Sequence, residues 1–162
     1  MEQLYSNVPR KVIQSKKQIE NSLKVKVKIN GNIITIDGKI EDELIVHNII
    51  EALNLGFTAN KALLLKEEGF EFEKILIKKI ANRRNLSQVR ARVIGTNRKA
   101  LDNIESLTDC FIALHDNTIG IIGNHENLRK ALYVLKRIVA GSKHANMYAW
   151  LETQKALEKA VF

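Results

Sequence analysis

The sequence predicts an α+β fold in which one scaffold is used twice, with helices packed on one face of each small sheet. The first observation is an internal repeat, because residues match without a gap at an offset of 85. The second is that each copy combines short segments of strand periodicity with amphipathic helical segments. The matched positions are Ile19–Glu20 with Ile104–Glu105, Asn32 with Asn117, Ile36 with Ile121, Gly38 with Gly123, and Gly56 with Gly141.

The first copy begins with a short helix and continues into a hairpin. Apolar residues and lysines alternate strictly in its first strand, as in a half-exposed strand, and an Asn-Gly-Asn turn leads back into the second. The residues ahead of Arg10 are too few for a full first strand and helix. The predicted elements are a polar helix over 14–23, a strand over 24–30, a strand over 33–36, a helix over 40–55 closed by Gly56, and a linking helix from Thr58 to about Lys66.

The second copy contains one more helix, so its order is β-α-α-β-β-α, and a final helix follows it. That final helix carries an apolar stripe that must be covered, formed by Met147, Trp150, Leu151 and Leu157. The predicted elements are a strand over 72–80, a helix from Asn85 or Ser87 to Ile94, a helix over 98–107, strands over 111–114 and 118–122, a helix over 126–140 closed by Gly141, and a last helix over 146–161.

Positive charge is concentrated in the second half of the chain. Residues 69–162 contain 16 Lys+Arg and 9 Asp+Glu, whereas residues 1–68 contain 10 and 9. The segment Lys78–Lys99 carries eight basic residues and no acidic one, although ordinary surfaces mix both signs. Such a segment is typical of a surface that binds phosphates.

Composition excludes several other classes of protein. A lone Cys110 rules out an internal disulfide and favours a reducing compartment, and no apolar run approaches the ~20 residues that span a bilayer. The N-terminal residues also lack the apolar core of a signal peptide. Dispersed histidines give no metal-ligand spacing, and we find no catalytic constellation and no Walker-type phosphate-binding loop. We therefore expect a cytoplasmic protein that is not an enzyme and has no cofactor, metal or membrane contact.

A break between two helices at residues 94–98 is the most informative local motif. The second helix would begin there with free backbone N–H groups, which together with the helix dipole attract an anion. Gly95 would let a nucleic-acid backbone approach without a Cβ in the way. The basic residues Arg90, Arg92, Arg98 and Lys99 flank this break and could pair with phosphate.

Residues 73–141 resemble a type I KH domain over its full length, in which a Gly-x-x-Gly loop binds single-stranded nucleic acid. The segments Ala91–Gly95, Ile104–Thr108, Asn117–Gly123 and Gly141–Glu152 resemble the second KH domain of archaeal two-KH ribosome-assembly proteins, which are relatives of the eukaryotic partner-of-NOB-one and Dim-two proteins. The chain departs from this pattern where the second glycine of the loop is replaced by Arg98.

The resemblance implies two type I KH-like domains in tandem, the first of them degenerate. The implied boundaries are a KH-like domain over 1–56 that has lost phosphate clamping, a helical linker over 57–72, a KH domain over 73–141, and a C-terminal helix over 142–162 packing on the domains. At the loop position the first copy has Arg10–Ile13 and no glycine. The implied RNA-binding residues are Arg90, Arg92, Ile94, Gly95, Thr96, Asn97, Arg98 and Lys99.

The implied function is ribosome assembly through single-stranded RNA, near the 3′ end of small-subunit precursor rRNA. Bases would enter an apolar groove between the helices and the strand at 111–114. The implied partners are a NOB-type endonuclease and the alpha subunit of translation initiation factor 2. Two alternatives remain open: an interaction scaffold whose KH folds no longer bind RNA, and a general single-strand binder outside ribosome assembly. A continuous basic path beside an open groove would separate RNA binding from the scaffold role.

Overall fold

The computed structural model describes residues 1–81 and 85–161. The chain divides into two compact units, Met1–Phe72 and Glu73–Phe162. Three predicted residues, Arg83 and Arg84 of the basic segment and Phe162 of the last helix, lie outside the described residues. The strands are β1 Glu2–Tyr5, β2 Lys26–Asn30, β3 Ile33–Asp37, β4 Phe70–Leu76, β5 Phe111–His115 and β6 Thr118–Asn124. The helices are α1 Pro9–Leu23, α2 Ile40–Asn54, α3 Ala59–Ala62, α4 Ile77–Ala81, α5 Leu86–Ile94, α6 Lys99–Thr108, α7 His125–Ala140 and α8 His144–Val161.

The first unit contains a three-stranded sheet in the order β1-β3-β2, with β3 antiparallel to both neighbours. Too few residues precede Arg10 for a full first strand and helix, as predicted: a short strand is present, but the helix begins only at Pro9. Four residues suffice for the edge strand β1, and Pro9 starts α1 in the first turn of a helix, where a missing N–H is tolerated. The predicted helix over 14–23 is therefore the C-terminal part of a 15-residue helix.

The second unit repeats the strand order, as β4-β6-β5. The predicted strand over 72–80 was wrong in its second half, because β4 ends at Leu76 and α4 follows at once. Ile77 and Ala81 are both buried, and their four-residue spacing is that of a helix face rather than of a strand. The N–H of Ile77 donates to the C=O of Asn117 at 2.9 Å, which fixes this change of direction against the β5–β6 turn.

The start of α8 forms part of the core of the second unit. Met147 and Leu151 are buried in that core, and Trp150 packs against it with its ring 4.5 Å from that of Tyr133. Leu157, predicted to lie on the same stripe, is 56% exposed. The apolar stripe of α8 therefore ends before its last turns.

Each unit contains an equivalent packing contact within itself, at positions related by the offset of 85. A Cβ built on Gly38 would lie 2.7 Å from Cγ1 of Val25, and one built on Gly123 would lie 2.5 Å from Sγ of Cys110. Gly38 thus allows the end of β3 to pack closely against the residue before β2. Gly123 allows the same for β6 and the residue before β5. Val25 and Cys110 are buried.

Candidate nucleic-acid interface

Gly95 ends α5 in a conformation that other residues rarely adopt. Its φ of 76° and ψ of 168° lie in a region essentially restricted to glycine. A Cβ at this position would also lie 2.7 Å from both the Cβ and the N of Ala100. Gly95 is therefore required both for the backbone angle and for the close approach of α5 to α6.

The next turn keeps a glycine-like backbone without a second glycine. Asn97 and Arg98 both have left-handed angles, with φ of 54° and 64°. Asparagine tolerates this region well, whereas arginine at the position of the family's second glycine is held there at a cost of about 1–3 kcal/mol. Thr96, Asn97 and Lys99 are exposed around the turn. The loop conformation thus survives the substitution.

The guanidinium group of Arg98 is held by carboxylates. Its Nε donates to Oδ1 of Asp102 at 3.0 Å, and its Nη2 donates to Oε1 of Glu105 at 2.6 Å. The same Nη2 lies 3.4 Å from the C=O of Ile112 in β5. Arg98 therefore connects the loop to α6 and to the edge of the sheet.

Two other predicted phosphate ligands also have partners within the chain. Arg92 donates to the C=O of Ile138 at 3.0 Å and to that of Ser142 at 2.7 Å, which satisfies carbonyl groups at the end of α7. Arg90 donates to Oδ1 of Asn117 in the β5–β6 turn. The three arginines of the predicted basic cluster thus contact different elements: Arg90 the β5–β6 turn, Arg92 the end of α7, and Arg98 the helix α6.

Lys99 stands in a different environment. In the described part of the chain this side chain has no ion-pair partner, and it lines an open groove of about 470 Å³ beside the loop. The groove lies between α5, the loop, α6 and the start of α8. It is lined by Ala91, Arg92, Gly95, Thr96, Lys99, Ala100, Asn103, His144 and Tyr148.

The start of α8 supplies one wall of this groove. Nε2 of His144 lies 2.8 Å from the C=O of Arg92, and the rings of His144 and Tyr148 are 6.1 Å apart. Tyr148 faces the groove while Trp150 packs on Tyr133, because residues two apart point in different directions on a helix. A segment outside the β-α-α-β-β-α order thus helps to shape the candidate site.

A second concavity lies at the β5–β6 turn. It has a volume of about 370 Å³ and is lined by Lys78 and Lys79 of α4 together with Leu76, Asp116, Asn117 and Thr118. The contact between Arg90 and Asn117 adds a third basic residue to its surroundings. The basic segment therefore reaches the sheet hairpin as well as the loop.

The strand β5 is an edge strand whose outer backbone groups are partly covered. Ile112 lies opposite Ile121 of β6, and its N–H donates to Oε2 of Glu105 at 3.0 Å. Its C=O faces Arg98. Because alternate residues of an antiparallel edge strand point their backbone groups outward, Ile112 would otherwise present both groups to solvent.

The remaining reactive side chains have structural surroundings. Burial raises the pKa of Cys110 to about 11, so its thiol stays neutral and unreactive at physiological pH. Its Sγ lies 3.6 Å from the C=O of Thr108. In residues 1–81 and 85–161 there is no group of three or more His, Cys, Asp or Glu side chains that could hold a metal ion, and no helix both long and apolar enough to cross a bilayer.

The corresponding position of the first unit has a different structure. Residues 10–13 lie inside α1, which continues without a break through the place where the second unit has its loop. Val12 is fully buried, and Ile13 is exposed. An uninterrupted helix presents no loop backbone to a ligand at this point.

Sequence reasoning did not identify the acidic partners of Arg98. Spacings of four and seven residues, from Arg98 to Asp102 and to Glu105, would have indicated that the three side chains share one face of α6. The match of Glu20 with Glu105 was visible in the repeat, but its role in binding a strand edge was not. The contacts of Arg90 and Arg92 join residues 27 to 50 positions apart and left no local signal.

Comparison with known proteins now identifies the architecture. A family model for the second KH domain of PNO1, described as a eukaryotic type KH domain (KH domain type I), matches residues 71–156. The match covers more than half of the chain. The chain belongs to the PNO1-type KH family. The segment Gly95–Arg98 lies within the matched residues.

Curated relatives carry the same family names. A KH domain-containing protein of Methanocaldococcus jannaschii is 34% identical over 147 residues, which cover 86% of this chain and 65% of that protein. The pre-rRNA-processing protein PNO1 of Coccidioides immitis is 28% identical over 118 residues, covering 71% of this chain and 46% of that protein. The chain thus spans less than two thirds of the length of either relative.

Solved structures match nearly the whole chain. Dim2p from Pyrococcus horikoshii has a TM-score of 0.83 and 27% identity, covering 94% of this chain and 98% of that one. The structure of the a/eIF2alpha-aDim2p-rRNA complex from the same organism contains a chain with a TM-score of 0.85 and 26% identity, covering 96% and 93%. A protein of unknown function from Aeropyrum pernix has the same fold, with a TM-score of 0.87 at 20% identity and coverage of 98% and 93%.

Proposed function

We propose that this chain is a ribosome-assembly factor that binds single-stranded RNA near the 3′ end of small-subunit precursor rRNA. The loop Gly95–Lys99 holds the sugar-phosphate backbone, chiefly through its backbone and through Lys99. The groove beside it receives the adjoining nucleotide. The observation that carries the proposal is the conformation of the loop, which keeps a glycine-like path at Asn97 and Arg98 although glycine is absent there.

The roles of the predicted residues differ within this proposal. Thr96 and Asn97 expose the turn to the phosphate, and Lys99 supplies a cation that has no ion-pair partner among the described residues. Arg92 and Arg90 position α5 against α7 and the hairpin, and Ile94 anchors the end of α5 against the core. The binding surface is therefore smaller than the basic segment that predicts it.

The domain organisation belongs to the same proposal. Residues 1–56 form a KH-like domain that lacks a clamp, residues 57–72 link it to the KH domain over 73–141, and residues 142–162 form the C-terminal helix. The first unit has the same strand order as the second and an equivalent close contact at Gly38, and both features support a common origin of the two units. The uninterrupted helix α1 supports the loss of phosphate binding.

Partners follow from the relatives. The relative in the a/eIF2alpha-aDim2p-rRNA complex favours rRNA and the alpha subunit of translation initiation factor 2 as partners of this chain in the cytoplasm. A NOB-type endonuclease that cuts the precursor is the expected third partner. The chain itself acts by binding rather than by catalysis.

The proposal is tested by the double substitution Thr96→Asp with Asn97→Asp. Two carboxylates in the exposed turn repel phosphate, so we expect binding to a labelled RNA from the 3′ end of the small-subunit precursor to fall by at least about 100-fold at low salt. The fold should persist, because exposed changes usually alter stability by less than ~0.5 kcal/mol. Fluorescence anisotropy and a thermal melt give the two measurements.

The matched control is Ile13→Asp with Gln14→Asp in α1. Both residues are exposed at the corresponding place in the first unit, whereas Val12 is buried and would unfold the helix if charged. We expect the control to bind RNA within about twofold of the unaltered chain. Equal losses in both variants would show that overall charge, rather than the loop, determines binding.

The scaffold alternative is favoured by one observation, namely that the side chains of Arg90, Arg92 and Arg98 already have partners within the chain. A scaffold would bind RNA weakly and with little response to the loop substitutions. Co-purification with immature small subunits that survives Thr96→Asp with Asn97→Asp would support this alternative. Co-purification lost together with RNA binding would support the assembly factor.

A further inference from the structure

The outer edge of β5 at Ile112 is occupied by two side chains of α6 and its preceding loop. Glu105 accepts the N–H of Ile112 at 3.0 Å, and Arg98 lies 3.4 Å from its C=O. Glu105 and Arg98 are also bonded to each other at 2.6 Å. One acidic and one basic side chain therefore cover the donor and the acceptor of a single edge residue.

The first unit contains the glutamate contact of this arrangement but not the arginine. Glu20, which corresponds to Glu105, accepts the N–H of Val27 at 2.9 Å, and Val27 corresponds to Ile112. The residue that corresponds to Arg98 is Ile13, an exposed apolar side chain that cannot join such an ion pair. The contact between the glutamate and the strand edge is thus common to both units, and the arginine is an addition confined to the unit that carries the loop.

Arg98 is placed to change partners. Its backbone belongs to the loop, so its guanidinium can reach a phosphate on that loop by side-chain rotation alone. Its side chain is 44% exposed and that of Asp102 is 60% exposed, so this ion pair is a weak surface contact. Glu105, at 17% exposed, is the more firmly held partner because it also binds β5.

We propose that Glu105 holds Arg98 in competition with RNA phosphate, so that this pair controls access to the loop and to the Ile112 edge. Before RNA binds, the pair keeps Arg98 on the carboxylates and its guanidinium on the C=O of Ile112. When a phosphate enters the loop, Arg98 moves to it and uncovers that carbonyl group, while Glu105 stays on the N–H. This inference rests on RNA binding at the loop as proposed above.

The test uses Glu105→Gln, which retains an oxygen that can accept the N–H of Ile112 but removes the charge that holds Arg98. We expect affinity for a labelled random-sequence single-stranded RNA pool to rise roughly tenfold, the size of one charge-assisted hydrogen bond. The slope of log K against log salt should not change by the ~0.7 expected for one additional phosphate contact, because Arg98 reaches the phosphate in the bound state of both proteins. The gain should vanish in the double variant Glu105→Gln with Arg98→Ala.

Two matched controls separate this mechanism from simpler ones. Asp102→Asn removes a charge beside the same loop without affecting the Ile112 edge, and Glu20→Gln makes the same chemical change in the first unit. We expect a gain below about threefold for the former and none for the latter. Equal gains in Glu105→Gln and Asp102→Asn would overturn the proposal, since removal of charge alone would explain them.

A measurement on the unaltered chain keeps the test valid if Glu105→Gln is unstable. On addition of the RNA pool, the NMR signal of the Arg98 Nε–H group should shift, while the Ile112 amide remains protected from hydrogen exchange. An Arg98 signal that does not move at saturation overturns the proposal but leaves RNA binding intact. Absence of binding in the unaltered chain and in Glu105→Gln alike overturns the proposed function, and this inference with it.

Discussion

The two units have the same sheet order, and they differ where the chain leaves the sheet. Between its first two strands the first unit has one continuous helix, α1, whereas the second has α4, α5 and α6, with the loop at Gly95 separating the last two. After the closing glycines the first unit continues into the short helix α3, whereas the second continues into the 18-residue α8. The shared part is the sheet with its close glycine contacts, and the divergent part surrounds the loop.

This difference shows how one scaffold can keep its sheet while the loop between its helices is absent. Glu20 and Glu105 bind the edges of their sheets in the same way, and Gly38 and Gly123 allow the same close packing. Neither contact requires the loop. A helix that runs through the loop position therefore leaves the sheet intact and removes the loop alone.

The largest expected effect concerns α8, the element that the second unit adds. Replacing Met147 and Leu151 with alanine should destabilise the chain by at least about 4 kcal/mol, because each buried large-to-alanine change costs about 2–5 kcal/mol. Leu157→Ala on the same helix, where the side chain is 56% exposed, should cost less than about 0.5 kcal/mol. Urea unfolding measures both, and a small loss in the double variant would show that α8 is not needed to complete the core.

The next effect compares two glycines with positive φ, one in each unit. Gly95→Ala should cost about 2–4 kcal/mol, because left-handed strain adds to a contact with Ala100 that must shift. Gly31→Ala, in a hairpin turn with no heavy atom within 4 Å of the added Cβ, should cost about 1–2 kcal/mol. RNA titrations at a temperature where both variants are folded should show lost binding for Gly95→Ala alone. Normal binding by Gly95→Ala would show that the loop path is not essential.

The sequence carried enough information for most of the elements around the site. Asn85 does cap α5, with its side chain accepting the N–H groups of Ser87 and Gln88, and α5 does end at Ile94 before the break. Thr58 likewise caps α3. These features depend on short-range hydrogen bonds and on helical periodicity, which the order of neighbouring residues determines directly.

The errors arose where distant residues decide the structure. Ile75 and Ile77 have the spacing of a strand, and Ile80 follows after two lysines, but the hydrogen bond from Ile77 to Asn117, forty residues away, accompanies a turn of the chain into a helix. The basic residues were grouped by sequence, whereas their partners lie on α6, α7 and the β5–β6 turn. A charge count predicts that a surface attracts phosphate, but not which cations are already neutralised by the protein.

The smallest expected effect tests how closely the two sheets correspond. Cys110→Val gives the second unit the residue that the first unit has at Val25, so it should change stability by less than about 1.5 kcal/mol, as volume-conserving changes usually do. Its effect should depend on pH. Burial raises the pKa of Cys110 from 9.0 to about 11, so the neutral thiol is favoured in the folded state, and the stability that this contributes is present below pH 9 and lost between pH 9 and 11.

The unaltered chain should therefore lose more stability than Cys110→Val between pH 9 and 11, the interval between the ordinary pKa of the thiol and its raised value of about 11. Lysine titration affects both proteins alike, so the difference between their urea midpoints isolates the thiol. Identical pH dependence would show that the thiol is accessible to water in the folded protein. It would also break the correspondence between Cys110 and Val25, because a thiol in contact with water does not fill the buried position against Gly123 that Val25 fills against Gly38.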